Sequence, residues 1–438
     1  MNIVLTIIDV FVYLSYINVV FWVIAFVCNG KKFKPTDKKY RYAVLICARN
    51  EEKVIAQLID SIQKQDYPKE LITTFVVAHN CTDNTAKIAK AAGAIVYEFN
   101  DNKPSHRRKG YALHHLIDKL RTDYADDFDG YFIFDADDLL RSNYVTEMNK
   151  AFDNKKYAFY TSYINNKNIK TQPVSVYSAF SLYRWVFDSA RATSVLGISP
   201  HANGTGILLR SELFSEHGYN YFSMSEDIEL TADLISCGKL GCYVNAAELF
   251  DEQPYSLRQL SWQRMRWIKG GYSSFFKKSW KVFIGIFYPL RYFKKKKEKR
   301  TLNNAIMARL SCLDWMRRNF PSGLFFLVTT NLIPLFIYLY ILLTNGDIVP
   351  LYELLSAAAK VNIALGIEIM VRNLLVYFRE IKRIIGYFNP ILLVICILVS
   401  PIITFLMVYV ETFALFIHVQ WKPITHKQGS YIEEIVGE

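Results

Sequence analysis

The sequence Tyr131-Phe-Ile-Phe-Asp-Ala-Asp137 joins a short apolar run to two closely spaced carboxylates. Short apolar runs of this kind are typical of strands buried inside a sheet. Side chains at positions i and i+2 of an extended segment point to the same side, so Asp135 and Asp137 can hold a hard divalent cation together. The plainer alternative is a solvated acidic turn, and the apolar run before the pair favours the metal site.

Three further apolar runs come earlier in the chain and predict buried strands: Tyr42–Cys47, Thr74–Ala78 and Ala94–Glu98. Segments of helical character follow them, such as Arg107–Arg121. Strands that alternate with helices predict an α/β domain, with a mostly parallel sheet and helices on both of its faces. Because ligands bind at the carboxyl ends of such strands, we expect the polar motifs that follow them to share one pocket.

Long apolar stretches flank this α/β region. A bilayer crossing takes about 20 apolar residues, and four stretches reach that length. They are Ile3–Cys28 and, approximately, Gly323–Leu343, Leu354–Phe378 and Ile391–His418. Lys360, Glu368 and Arg372 interrupt the third stretch, which indicates either an interfacial segment or a polar lining for something that crosses the membrane.

Basic residues next to these stretches predict their orientation. Lys31, Lys32 and Lys34 follow the first stretch, so the positive-inside rule places the next region in the cytoplasm. We therefore predict a multi-pass protein of the cell membrane. Its parts would be an N-terminal transmembrane helix (1–30), a cytosolic domain with interfacial amphipathic helices (35–300), about three transmembrane helices (301–420) and a tail (421–438). The charges leave the side of the tail open.

The charge of the chain indicates its binding partner, and its cysteines bear on a zinc site. The net charge is +12, and seven of the ten residues in Arg291–Arg300 are basic. Beside a membrane segment, such a run more simply holds the chain on anionic lipid than on nucleic acid. The expected partner is therefore the lipid bilayer and not a nucleic acid. The seven cysteines contain no CxxC pair, which argues against a structural zinc site.

Ser225-Glu226-Asp227 opens a predicted helix that runs to Ile235. Acidic residues favour helix starts for dipole reasons alone, so helix capping is the plain interpretation. The functional interpretation is a general base that takes the proton from an attacking hydroxyl during group transfer. The residues by themselves leave both interpretations open.

Gln263-Arg-Met-Arg266-Trp267 places three different polar groups on one helix face, because the spacing is i, i+3, i+4. The amide of Gln263 can bond a hydroxyl, and the guanidinium of Arg266 can pair with a diphosphate. The indole of Trp267 can stack on a sugar ring. An interfacial amphipathic helix with its tryptophans at headgroup depth is a second interpretation, compatible with the first.

Two shorter motifs suit the binding of a phosphorylated ligand. Lys109 lies at a predicted helix start, where amides and cations favour phosphate, although an isolated basic cluster is more often plain surface. Gly204-Thr-Gly206 allows a close approach to the backbone. The sequence has no Walker A motif and no GxGxxG motif, which argues against a P-loop NTPase or a dinucleotide enzyme.

Five motifs occur in the order found in one enzyme family. They are Cys47-Ala-Arg-Asn-Glu-Glu52, Asn80-Cys-Thr-Asp-Asn-Thr85, Asp135-Ala-Asp137, Ser225-Glu-Asp227 and Gln263-Arg-Met-Arg-Trp267. In these motifs the chain resembles the membrane-embedded, processive family 2 glycosyltransferases, which include cellulose, mixed-linkage β-glucan, hyaluronan and chitin synthases. The resemblance covers nearly the whole chain and implies a GT-A fold, a UDP-sugar donor and an inverting mechanism.

The resemblance also implies a donor site with a divalent cation, Mg²⁺ or Mn²⁺, held by Asp137 and Asp135. The implied donor-binding residues are Arg49, Glu51, Asp83, Lys109, Asp135, Asp137 and Arg266. The chain departs from the family in one place, since Ala78-His79 stands where two aspartates often open the second motif. Recognition of uracil would then fall to His79 or to Asp83.

The implied base is Asp227, with Glu226 beside it. The implied acceptor site consists of Gln263, Trp267, Gly204 and Thr205, with Trp267 supporting the terminal sugar.

From the resemblance we expect a processive enzyme that makes a β-linked polysaccharide from a UDP-sugar at the cytoplasmic membrane face. UDP-glucose and a β-1,4 or mixed β-1,3/β-1,4 glucan are the expected donor and product, with export coupled to synthesis. A single-sugar transferase acting on a lipid carrier, a hyaluronan- or chitin-like synthase and a scaffold with a degenerate transferase domain are the alternatives. A homo-oligomer or an accessory export protein stays open as a further partner.

Overall fold

The computed structural model describes residues 19–438, apart from 125–126, 170–171, 216, 288–301, 322–334, 337–338, 341–342, 345–348, 385–389, 418, 420–425, 427–428 and 437–438. Its strands are β1 (Tyr42–Ala48), β2 (Ile72–His79), β3 (Ile95–Phe99), β4 (Gly130–Asp135), β5 (Leu139–Leu140), β6 (Phe159–Asn166), β7 (Ile207–Arg210) and β8 (Gly241–Asp251). Its helices are α1 (Ile55–Gln63), α2 (Thr85–Ala91), α3 (Lys109–Asp123), α4 (Tyr144–Phe152), α5 (Pro173–Trp185), α6 (Ala192–Leu196), α7 (Glu226–Ser236), α8 (Leu257–Phe287), α9 (Leu302–Asn319), α10 (Val349–Ile384), α11 (Pro390–Phe416) and α12 (Ile432–Val436).

The strands form one mixed sheet with the order β3-β2-β1-β4-β7-β6-β8-β5. The first four strands pair in parallel, as the sequence predicts. In the other half, β6 and β8 also pair in parallel and run in the direction of β1 to β4. The mostly parallel sheet is thus confirmed for six of the eight strands, and the exceptions are β7, antiparallel to both β4 and β6, and β5, antiparallel to β8. The reason is that β7 enters the sheet between two strands of the opposite direction, after the helical stretch of residues 173–196.

The predicted helices on both faces of the sheet are confirmed by the way β1 divides its side chains. Tyr42, Val44 and Ile46 pack into one core cluster with α1 and α4. Ala43 and Leu45 pack into a second cluster with α3. Successive side chains of a strand point to opposite faces, so each face of this strand supports its own apolar layer.

The predicted membrane stretches are only partly covered by the described residues. Residues 1–18 of the first stretch and most of Gly323–Leu343 lie outside them, as does the basic run Arg291–Arg300. Within the part that the structure describes, α11 is the one helix long and apolar enough to cross a bilayer. The multi-span region therefore stays a prediction.

Helix α11 packs along the α/β domain. Its Met407 contacts Tyr177 of α5 and Leu260 of α8, and its Ala414 packs with Met265 of α8. After α11 the chain returns to the sheet, where Ile432 of α12 packs on β5 and β8. These contacts bring residues from the far end of the sequence to the edge of the α/β domain.

A glycine at the second position of α3 allows this helix to approach the backbone of residue 221. A Cβ added to Gly110 would lie 1.9 Å from the carbonyl oxygen of Tyr221. We expect Gly110→Ala to lower the free energy of unfolding by about 1–3 kcal/mol, because backbone atoms would have to move. Chemical denaturation of the purified protein measures this change.

Gly271→Ala is the matched control. The new Cβ would meet only the Cδ1 atom of Ile228, at 3.6 Å. A helical alanine there should keep or raise stability. Equal unfolding curves for the two variants would contradict the close packing of α3.

Candidate active site

A cavity of about 840 Å³ lies beyond the carboxyl ends of β1, β2 and β4. The structure brings twelve of the predicted site residues to its walls. They are Arg49, Glu51, Lys109, Asp135, Asp137, Gly204, Thr205, Glu226, Asp227, Gln263, Arg266 and Trp267. The remaining one, Asp83, does not line this cavity. Its carboxylate accepts hydrogen bonds from the backbone N–H (3.0 Å) and hydroxyl (2.5 Å) of Thr85 at the start of α2.

Lys109 is the first residue of α3, and it lines the cavity. Its Nζ donates hydrogen bonds to Oδ1 of Asp135 at 2.5 Å and to the carbonyl oxygen of Gly204 at 2.6 Å. Burial works against the ammonium, but the carboxylates of Asp135 and Glu226 raise its pKa above the ordinary lysine value. Lys109 is therefore a permanent positive charge in the cavity.

The pair Glu226 and Asp227 lies at the start of α7. Burial raises the pKa of both carboxyl groups, to about 8 for Glu226 and to about 6 for Asp227. The two carboxyl groups interact, so they titrate as a pair in which Asp227 is the more acidic member. One oxygen of Asp227, Oδ1, accepts the N–H of Ile228 at 2.9 Å. The other, Oδ2, lies on the side of Gly204, 3.8 Å from the place of a Cβ there.

The predicted shared face of Gln263, Arg266 and Trp267 is present on α8, and all three side chains line the cavity. Burial lowers the pKa of Arg266, while the surrounding carboxylates, with Asp135 and Glu226 foremost, act in the opposite direction. A guanidinium among acids in a cavity can hold an anionic ligand. The side-chain oxygen of Gln263 is buried and has no hydrogen-bond partner in the described part of the chain.

Asp137 belongs to a second group of ligand atoms, with Glu252 and His426. One atom from each lies within 4.8 Å of the others, so the three could hold a metal ion together. Oε1 of Glu252 is buried and has no hydrogen-bond partner among the described residues, as expected of an oxygen that serves a cation. Carboxylate oxygens with one imidazole suit Mn²⁺ or a similar divalent ion. Asp135, predicted as a metal ligand as well, is bonded to Lys109 instead.

His426 bridges two carboxylates across the cavity. Its Nε2 lies 3.0 Å from Glu51, and its Nδ1 lies 3.1 Å from Glu252. Burial alone would lower the pKa of this imidazole, yet the hydrogen bonds to Glu252 and Glu51 raise it to about 10. A metal ion at this place would therefore replace the proton that His426 otherwise carries.

His79 lines the cavity beside Arg49. Its Nδ1 lies 3.1 Å from Nη2 of Arg49, and its ring stacks on Phe99 with centroids 4.9 Å apart. Burial lowers the pKa of His79 to about 4, with Arg49 acting in the same direction. The ring is therefore neutral. Because a guanidinium can only donate, Nδ1 accepts from Arg49, and Nε2 carries the proton and can donate one hydrogen bond.

The sequence analysis does not predict several polar residues that line the cavity, among them Glu252, His426, His201 and Asn203. Glu252 does have a signal, since Asp251-Glu252 follows the apolar end of a strand in the same way that Asp135 does. His426 has none, because it lies after an apolar stretch, far along the chain from its partners. His201 and Asn203 stand beside the glycine motif that the sequence does single out.

Comparison with known proteins agrees with this geometry. Residues 40–270, more than half of the chain, match the family described as glycosyltransferase like family 2. The chain is 25% identical over 260 residues to the probable glycosyltransferase YdaM of Bacillus subtilis, an alignment that covers 55% of this chain and 58% of that protein. It is 24% identical over 243 residues to beta-monoglucosyldiacylglycerol synthase of Nostoc sp. strain PCC 7120, covering 53% and 49%. The matched part thus spans about half the length of these curated relatives.

A solved structure shares the fold. It is a mannosyltransferase from Pyrobaculum calidifontis in complex with GDP-Man and Mn²⁺, with a TM-score of 0.52 at 14% identity. The match covers 86% of this chain and 98% of that one. At this identity the likeness shows the fold alone, which is the GT-A-like α/β fold with a mixed sheet.

The group of Asp137, Glu252 and His426 predicts a measurable metal site. We expect His426→Ala to weaken Mn²⁺ binding at least about tenfold, because the site loses one of its three ligands, the imidazole nitrogen. Titration of Mn²⁺ followed by electron paramagnetic resonance measures the affinity. His217→Ala, at an exposed histidine that does not line the cavity, is the control. Equal affinities for both variants would contradict this site.

Proposed function

The chain belongs to family 2 of the glycosyltransferases, and we propose that it transfers a sugar from a UDP-sugar to a hydroxyl of a growing glycan, with inversion at the anomeric carbon. One observation carries the proposal. The carboxyl group of Asp227 and two basic side chains, Lys109 and Arg266, line one cavity with the amide and indole face of α8. A base, a diphosphate site and a sugar platform are what such a transfer requires.

In the proposed reaction, Oδ2 of Asp227 takes the proton from the acceptor hydroxyl. The acceptor oxygen then attacks the anomeric carbon on the side opposite to the nucleotide, and the bond from that carbon to the diphosphate breaks. An α-linked donor thus gives a β-linked product, while the nucleoside diphosphate carries away the bonding electron pair. The proton on Asp227 later passes to solvent. A base with a pKa of about 6 suits this task, since it is ionised at neutral pH and still basic.

The chain's own cations would stabilise the leaving diphosphate. Lys109 and Arg266 lie on the cavity wall, and their charge is already in place before the reaction, so no reorganisation is needed as negative charge develops. Asp137, Glu252 and His426 would hold the divalent cation. Such an ion, when bound, neutralises diphosphate oxygens and favours their departure.

The donor and product are the finer part of the proposal. We propose UDP-glucose as donor and a β-glucan as product, made processively. The choice of glucose rests on the resemblance to the glucan synthases, and processive synthesis is supported by Gln263 and Trp267, which line the cavity. One observation favours a second candidate, the transfer of a single glucose to a lipid. It is the similarity to a synthase of monoglucosyldiacylglycerol. The size of the product separates the two candidates.

We propose that the enzyme works at the cytoplasmic face of the cell membrane. The second half of α8 carries a row of exposed aromatic side chains on one face, namely Phe276, Trp280, Phe283 and Phe287. Exposed apolar rows of this kind are typical of helices that lie at a bilayer surface. The apolar helix α11 lies against α8, and the residues after it re-enter the cavity at His426, so the tail would share the cytoplasmic side.

The proposed activity is tested with purified protein, Mg²⁺ or Mn²⁺, and one donor at a time. The donors are UDP-glucose, UDP-N-acetylglucosamine, UDP-glucuronate, UDP-galactose and GDP-mannose. Nucleotide release and product mass are followed together. Polymer from UDP-glucose is the expected result. A single-sugar lipid product would favour the second candidate, and no nucleotide release from any donor would overturn the proposal.

Asp227→Asn isolates the proposed base. We expect transfer to fall by about 10²–10⁴-fold, because the amide cannot accept the proton, while the affinity for UDP stays unchanged. Asp233→Asn makes the same change on the same helix, at a carboxylate that pairs with Lys278 and Lys281. It should leave the rate unchanged. Wild-type turnover by Asp227→Asn would remove this residue from the mechanism.

The pH dependence of turnover follows from the same carboxylate. Because burial raises the pKa of Asp227 to about 6, the base becomes protonated as the pH falls through that value. We expect kcat to fall about tenfold for each pH unit below 6. Circular dichroism at pH 5 controls for unfolding. A kcat that stays constant from pH 7 down to pH 5 would contradict the assignment.

A further inference from the structure

The segment that leads into β7 contains buried polar atoms without partners. His201 and Asn203 are 5% and 7% exposed. Within the described part of the chain, Nε2 of His201 and both side-chain atoms Nδ2 and Oδ1 of Asn203 make no hydrogen bond. Leaving such atoms unpaired costs stability. The cost is understandable if a ligand supplies the missing partners.

This segment is held directly beside the proposed base. The N–H of Ala202 donates to the hydroxyl of Thr231 at 2.9 Å, one turn beyond Asp227 on α7. The carbonyl oxygen of Gly204 accepts a hydrogen bond from Nζ of Lys109 at 2.6 Å, and Gly204 itself faces Oδ2 of Asp227. Asn203 lies between these two anchored neighbours. Asn203 also lines the cavity, as Asp227 does.

Helix α8 contributes further unpaired atoms to the same cavity, namely Oε1 of Gln263 and Nη2 of Arg264. This helix packs closely against the start of α7, because a Cβ added to Gly270 would lie only 2.3 Å from Oγ of Ser225. The hydroxyl of Ser225 also donates to the carbonyl of Trp267 at 3.3 Å. Segment 201–204 thus contacts the middle of α7 at Thr231, and α8 contacts the residue before α7, Ser225.

The unpaired atoms of His201, Asn203 and Gln263 belong to residues that line one cavity, and they include both hydrogen-bond donors and acceptors. Burial lowers the pKa of His201 to about 4, so its ring is neutral, with one donor and one acceptor nitrogen. The amide of Asn203 offers both roles as well, and Gln263 offers an unpaired acceptor. A sugar presents several hydroxyls, each of which donates and accepts. A diacylglycerol presents a single hydroxyl on an otherwise apolar skeleton.

We propose that Asn203 and His201 bind hydroxyl groups of the acceptor sugar, and that they select a carbohydrate over an apolar alcohol as acceptor. The inference rests on the glycosyltransferase activity proposed above. It goes further, because it assigns the choice between acceptors to two side chains, His201 and Asn203, that lie outside the acceptor site implied by the sequence.

The test separates acceptor binding from donor chemistry. Hydrolysis of UDP-glucose without acceptor and transfer to cellobiose are measured for wild type, Asn203→Leu and His201→Leu. Each leucine keeps an apolar side chain at the site while removing its hydrogen bonds. We expect the KM for cellobiose to rise at least about tenfold, with donor hydrolysis and the affinity for UDP unchanged. We expect the melting temperature to stay equal or to rise, because an unpaired buried group is removed.

Two further variants give the matched comparisons. His201→Gln keeps a neutral donor and acceptor, and should restore much of the binding lost in His201→Leu. Tyr163→Phe removes an unpaired buried hydroxyl that does not line the cavity, and should leave the KM for cellobiose unchanged.

Several results would overturn the inference. These are an unchanged KM in both leucine variants, a parallel loss of hydrolysis and transfer with a lower melting temperature, or a wild type that glucosylates diacylglycerol but no sugar. The proposed activity fails in a different way, since wild type would then release no UDP from any donor.

Discussion

The ammonium of Lys109 is the contact on which the layout of the site depends. It bridges the carboxylate of Asp135 and the carbonyl of Gly204, so it ties the end of β4 and the start of α3 to the segment that leads into β7. A buried ammonium is costly unless it is paired, and these two partners provide the pairing. The same charge acts on Asp227 and lowers a pKa that burial would otherwise raise further. One side chain thus sets both the geometry and the charge balance of the cavity.

The sequence predicts the first half of the sheet well, and the reason is physical. Strands β1, β2 and β4 are apolar on both faces, so each is visible as a continuous run between polar turns. Strand β7 has four residues and β5 has two, so neither gives such a signal. The parallel arrangement is therefore correct for β1 to β4, β6 and β8, and wrong for the two short strands that run the other way.

The residues of the candidate site also fall into those that the sequence predicts and those that it does not. Residues that directly follow a visible strand or share a helix face, such as Asp137 and Gln263, reach the cavity as expected. Asp83 belongs to a predicted motif but bonds the backbone of its own turn, a local use that spacing cannot distinguish from ligand binding. His426 reaches the cavity through a contact with Glu51, 375 positions earlier in the chain, and no local pattern encodes such a contact.

The position of His426 has a consequence for biosynthesis. This residue follows α11 in the chain, yet its partners Glu51 and Glu252 precede that helix. The ribosome must therefore complete the apolar helix before the pocket can receive its histidine. A nascent chain whose α/β domain has already folded would still lack this side chain. The cavity would then gain its last wall residue only after the whole of the apolar helix α11 has been made.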